Sequence, residues 1–130
     1  MSDLLHVELV AAERVVWSGE ATAVVARTTE GDLGILLNHA PVLSLLVEGV
    51  VEIRGEGGDN VVAAVDSGFL SVSDNRVSIL SENIDLAAEI DVSAARQELE
   101  RATAAGPDDE EALATARRAQ ARIRAAETTS

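Results

Sequence analysis

The hydrophobic period of this chain changes once, near Ile90, and that change limits what it can fold into. Ahead of Ile90, apolar segments of about five to eight residues alternate with turn residues, the pattern of an all-β sandwich. Leu5, Val7 and Leu9 alternate with His6 and Glu8 as in a half-buried strand. Residues 21–27, 33–37, 42–47, 50–54, 61–65, 69–72 and 77–80 supply the other main strands. Gly55 to Asp59 and Asp74-Asn75 read as hairpin turns, because glycine, asparagine and aspartate tolerate positive φ. Past Ile90, Val92, Ala95, Leu99 and Ala102 fall on one helical stripe, and Leu113, Ala116, Ala119, Ile123 and Ala126 on another. The expected fold is an all-β sandwich of about ten short antiparallel strands in two packed sheets, residues 1–87, followed by a C-terminal antiparallel α-helical hairpin, residues 88–130.

The hairpin has its own punctuation. Asp91 suits the N-cap of its first helix, Gly106-Pro107 halts that helix, and Asp108 to Glu111 place negative charge at the positive end of the second. Twelve of the last 40 residues are alanine, whose burial contributes little, so the hairpin needs a partner surface. That surface is either its own sandwich or another subunit, which makes a mobile arm on a rigid base an expected arrangement. Charge shifts at the same boundary. Residues 1–90 carry 15 acids and four arginines, and residues 91–130 carry eight acids and six arginines.

Several function classes are excluded. A chain of 130 residues has room for one modest core and not for a large enzyme cleft. Without cysteine there is no disulfide, thiolate nucleophile or cysteine zinc site. His6 and His39 alone make no histidine-rich metal site, and no metal is expected. Ten arginines against 23 carboxylates leave a net charge of −13, which repels nucleic acid and anionic lipid, so neither nucleic acid nor direct lipid binding is expected. No apolar run approaches the ~20 residues that span a bilayer, and Met1-Ser2-Asp3 lacks the basic opening of a secretory signal. A soluble, cytoplasmic chain is expected.

The run from Glu30 to Pro41 reads Glu-Gly-Asp-Leu-Gly-Ile-Leu-Leu-Asn-His-Ala-Pro. Val16-Trp17-Ser18-Gly19 precedes it, and Asp66 to Val72, Arg76 to Leu80 and Ile90-Asp91 follow in order. Together these resemble the epsilon subunit of bacterial F-type ATP synthases over nearly the whole chain. The resemblance implies a non-catalytic rotor component of the central stalk, coupling rotation of the membrane ring to ATP synthesis, with the hairpin as a regulatory arm able to restrain ATP hydrolysis. It implies partners as well. These are the gamma subunit on one side of the sandwich, the c subunits of the proton-driven ring at one end, and the alpha and beta subunits through the hairpin. The place implied is the cytoplasmic side of the cell membrane, peripheral through the complex.

By the same resemblance, Glu30, Asp32 and His39 lie at the interface with ring and gamma subunit. No catalytic residue is expected, since nothing near His39 in sequence supplies a nucleophile or acid. No cofactor is required, but several members bind ATP between the hairpin helices, and by position such a site would comprise Asp85, Asp91, Arg101, Arg118 and Arg122. The family's ATP motif has arginine where this chain has Ala94, and Arg96, about 200° further round a helix, cannot replace it. Arg96 with Glu100 and Glu98 with Arg101 read instead as helix-surface ion pairs. Two rivals stand beside this reading: a stand-alone nucleotide or small-ligand sensor with a helical lid, and a hydrolase pairing Asp66 with Asp32 or Glu30.

Overall fold

The computed structural model describes residues 4–128, so the Met1-Ser2-Asp3 opening lies outside the described residues. Its strands are β1 (Leu5–Val10), β2 (Val15–Ala21), β3 (Ala23–Thr28), β4 (Gly31–Leu36), β5 (Val42–Leu46), β6 (Gly49–Arg54), β7 (Asn60–Val65), β8 (Gly68–Ser73), β9 (Arg76–Ser81) and β10 (Ile84–Leu86). They pair in the order β10-β7-β6-β3-β5-β8-β9-β1-β2, with β4 on β3. Between β3 and β5 the pairing is a single residue pair, Thr28 with Leu46. The sandwich is therefore one sheet folded over at that corner rather than two separate sheets. One pairing departs from the antiparallel expectation: β1 runs parallel to β9.

Alternation along the strands puts one face of each inside. Leu5, Val7 and Leu9 of β1, Val24 of β3, Ile35 of β4, Val51 and Ile53 of β6, Leu70 and Val72 of β8, and Val77 and Ile79 of β9 make a dry aliphatic core. Residues 16–19, which the resemblance gives as a turn after the first strand, are strand. Gly19 stands opposite Val7, and a Cβ there would lie 2.7 Å from Trp17 Cζ2, so the glycine makes room for the indole ring. Trp17 itself is half-buried at the edge of the core. Thr22 separates β2 from β3, its N–H and Oγ1 both donating to the Arg54 carbonyl, at 2.7 and 3.0 Å. The Asp74-Asn75 turn adopts positive φ at both residues, 50° and 61°, as a two-residue hairpin requires.

The helices are α1 (Val92–Ala104) and α2 (Glu110–Thr128). Asp91 caps α1 by accepting the Ala94 N–H at 3.1 Å, and Asp109 caps α2 through the Ala112 N–H at 3.0 Å. Gly106, at φ 91°, ends the first helix. α2 lies on β6 and β7, and α1 packs on α2. Because α2 sits between sheet and α1, it is buried on more than the single stripe expected from sequence: Ala119, Ala121 and Ala125 are buried, whereas Leu113 is 40% exposed. Ala121 and Ala125 rest on Val62, Ala64 and Ala87, flanked by Val50 and Ile90. Small residues on both sides let the helix approach the sheet closely.

Candidate functional site: an apolar sheet face, an acidic turn and a helix seam

β5, β8, β9, β1 and β2 carry a second apolar surface on their outer side. Residues directly opposite one another on paired strands share a face. Register places Leu45 opposite Phe69, Phe69 opposite Leu80, Leu80 beside Val10, and Val10 opposite Val15. The result is one apolar row across five strands, with Leu45, Phe69, Leu80 and Val15 each about half exposed or more, and Leu43 of β5 beside it at 71%. The next row starts at Leu43 and is otherwise polar, running through Ser71, Ser78, Glu8 and Ser18. Large apolar side chains contiguous on the outside of a sheet mark a docking surface. Sequence patterning put Leu43, Leu45, Phe69 and Leu80 on strands but left Val15 unassigned, and did not reveal the face. The signal was present, because residues 42–47 are apolar at five of six positions, more than one inward face can use.

Along one edge of this row, Leu45, Val47, Phe69, Leu80 and Thr29 line a groove of ≈ 630 Å³. Thr29 brings in the β3–β4 turn, its N–H donating to the Leu45 carbonyl at 3.1 Å. The turn is held internally by Thr28, whose Oγ1 donates to the Gly31 carbonyl at 2.8 Å and accepts from the Glu30 N–H at 3.1 Å. Gly31 adopts φ 114°, which a side chain would oppose. Glu30 and Asp32 are both exposed there, Asp32 opposite Arg27 on β3. His39 lies past the other end of β4, about 20 Å from Glu30 at strand spacing. The three residues expected at the interface thus fall into two places, the acidic β3–β4 hairpin beside the apolar row and a histidine loop at the far end.

The five residues assigned by position to an ATP site do not line one pocket. Arg118 and Arg122 meet Asp66, Asn83 and Asp85 around a cleft of ≈ 10 Å³, room for about one water. Asp85, Asp91 and Arg122 line a second, of ≈ 300 Å³, together with Glu89, Ala94 and Glu98. Arg101 faces a different groove between the helices, with Ala105, Asp109 and Thr115. In the second cleft four carboxylates face one guanidinium, and Arg122 already pairs with Glu98 at 3.0 Å. Glu98 therefore reaches across the hairpin instead of pairing with Arg101 within α1.

Two further arginines fasten α2 to the sandwich. Arg117 pairs with Glu48 at 3.5 Å and Arg118 with Asp66 at 3.9 Å. Asp66 is buried and well held: its Oδ1 accepts the Ser67 N–H at 2.9 Å, and its own N–H donates to the Asn83 carbonyl and Ser81 Oγ. Among the described residues no group of three or more histidine, aspartate and glutamate side chains could hold a metal, and no helix is long and apolar enough to cross a membrane.

Residues 4–87 match the family model described as ATP synthase, Delta/Epsilon chain, beta-sandwich domain. The chain is 54% identical over 125 residues to an ATP synthase epsilon chain of Streptomyces avermitilis, covering 96% of this chain and 97% of the relative. An ATP synthase epsilon chain of Rhodococcus jostii is 53% identical over 124 residues, covering 95% and 96%. Among solved structures, a chain of the Euglena gracilis mitochondrial ATP synthase, solved as OSCP/F1/c-ring, aligns with TM-score 0.74 at 24% identity over 99% of this chain and 81% of that one. A chain from the central stalk and c-ring of the Tetrahymena thermophila mitochondrial ATP synthase aligns with TM-score 0.62 at 17% identity, covering 96% and 95%.

Proposed function

Since the chain belongs to the ATP synthase epsilon-chain family, a non-catalytic subunit of the rotary complex, we propose that its apolar sheet face seats it on the gamma subunit of the central stalk. The acidic β3–β4 turn then meets the membrane rotor ring. The observation that carries this reading is the five-strand row of Val15, Val10, Leu80, Phe69 and Leu45. Covering it removes apolar surface from water at about 25 cal/mol per Å². Glu30 and Asp32 border the row through Thr29, so one rigid sandwich offers an apolar seat and a polar end. Torque passing between ring and stalk needs that stiffness more than it needs any chemistry.

On this reading the subunit is peripheral, on the cytoplasmic side of the cell membrane, and the alpha and beta subunits are within its reach only through the hairpin. Docked as it is on β6 and β7, the hairpin leaves the apolar row uncovered, so stalk binding does not require its release. A ligand-sensor role is not favoured, because Arg117, Arg118 and Arg122 are each occupied by a carboxylate. ATP as a regulatory ligand of the hairpin stands as a secondary proposal, supported by the family's habit and opposed by the charge of the cleft.

The test is titration of the isolated gamma subunit with the full chain and with Phe69→Asp. The wild type is expected to bind stoichiometrically. The variant, whose changed side chain is already 50% exposed, is expected to keep its fold and lose at least tenfold in affinity. Equal binding by both would overturn the seat.

A further inference from the structure

Asn38 and Asn75, 37 positions apart, exchange two hydrogen bonds. The Asn38 N–H donates to Asn75 Oδ1 at 2.6 Å, and Asn75 Nδ2 donates to Asn38 Oδ1 at 3.2 Å. The orientation of the Asn75 amide is fixed, because a backbone N–H can be served only by the oxygen. Both residues adopt positive φ, 65° and 61°, a conformation asparagine tolerates better than most side chains. The carbonyl of Asn75 also accepts the His6 N–H at 2.8 Å, so one turn residue joins the start of β1, the β8–β9 turn and the β4–β5 loop.

The residue next to this clasp is His39. Its N–H donates back to the Leu36 carbonyl at 3.2 Å, and its Nδ1 lies 2.7 Å from the Ala40 carbonyl oxygen. That oxygen can only accept, so Nδ1 must carry the hydrogen. In the neutral ring the lone pair is then on Nε2.

We propose that the Asn38–Asn75 clasp is a positioning device, which holds the β4–β5 loop so that His39 Nε2, in the neutral ring, is offered as a hydrogen-bond acceptor to a donor on the gamma subunit of the stalk. This rests on the reading of His39 as an interface residue. The fitting partner group is a backbone N–H, an arginine or a lysine, and a carboxylate is a poor match for the neutral ring. Asn38 and Asn75 need touch no partner to act in this way. An asparagine before the His-Ala-Pro turn has a use that its own neighbourhood in sequence does not reveal.

The experiment uses the full chain with Asn75→Gly, which keeps the positive φ and removes both side-chain bonds, and Asn75→Asp, which keeps the acceptor for the Asn38 N–H. Three readouts are taken: amide hydrogen exchange at residues 36–40, the His39 tautomer by ¹⁵N NMR, and affinity for the gamma–ring assembly. Asn75→Gly is expected to speed exchange at Asn38 and His39 about tenfold and to mix the tautomers. It should weaken assembly about fivefold, and Asn75→Asp should recover most of the exchange protection. Unchanged exchange and tautomer in Asn75→Gly would overturn the clasp. His39→Ala separates the two layers: if it leaves affinity untouched while the clasp readouts respond as expected, the interface reading of His39 has failed and the positioning proposal falls with it, although the clasp itself stands.

Discussion

Replacing Gly68 with alanine is expected to strain the sandwich where β8 and β9 begin their pairing. Gly68 stands opposite Ser81, and a Cβ built on it would lie 1.9 Å from the Leu80 carbonyl oxygen and 2.9 Å from both Leu80 C and Ser81 Cα. All three are backbone atoms, so no rotamer change relieves the clash. Reaching ordinary contact requires the strands to part by more than about 1 Å, which takes a good ladder hydrogen bond out of range. A weakened bond or two at about 0.5–1.5 kcal/mol each, with overpacking strain of about 1–3 kcal/mol, gives a loss of roughly 3 kcal/mol. For a chain of this length that corresponds to a fall in Tm of about 10 °C. The assay is thermal unfolding followed by circular dichroism, with Gly34→Ala as the internal control. Gly34 has nothing within 4 Å of its added Cβ and no positive φ, so its alanine variant should stay within about 2 °C of the wild type. A Gly68→Ala protein that melts with the control would refute the reasoning.

Two further outcomes are expected. Ala121→Leu adds three carbons where α2 rests on Val62 and Ala64, and at about 1–3 kcal/mol of overpacking it should undock much of the hairpin population while the sandwich stays folded; proteolysis of the 105–109 linker that is no faster than in the wild type would count against it. ATP should bind the full chain weakly, because Asp85, Glu89, Asp91 and Glu98 surround Arg122, and Ala94→Arg should raise its affinity at least tenfold by calorimetry; equal heats for the two proteins would remove charge as the explanation.

The sequence disclosed the fold well where local chemistry decides it. Asp91 and Gly106 bound α1 as their types suggest, and Asp74-Asn75 turns as its two residues permit. What it hid were decisions made across the fold. Residues 16–19 are a turn by resemblance but strand in the fold, where Gly19 serves the Trp17 ring two residues away. Leu113 looks inward by periodicity, but a helix between two surfaces buries more than one stripe, and Ala121 and Ala125 take the sheet side. Ile84 to Leu86 is too short to show a period, and becomes strand only because β7 lies beside it. For the candidate site, Glu30 and Asp32 are legible as a solvated strand edge, whereas the apolar row depends on register across five strands. No single segment holds that register.

The arginines of α2 divide their attachments by direction. Arg122 fastens the second helix to the first, while Arg117 and Arg118 fasten it to the sandwich. The main packing of α1 is against α2. Parting α2 from the sheet would therefore break one set of bonds and leave the other in place. The seam that holds the hairpin down is one of small and branched side chains, Ala121 and Ala125 on Val62, Ala64 and Ala87, with two ion pairs of 3.5 and 3.9 Å beside it.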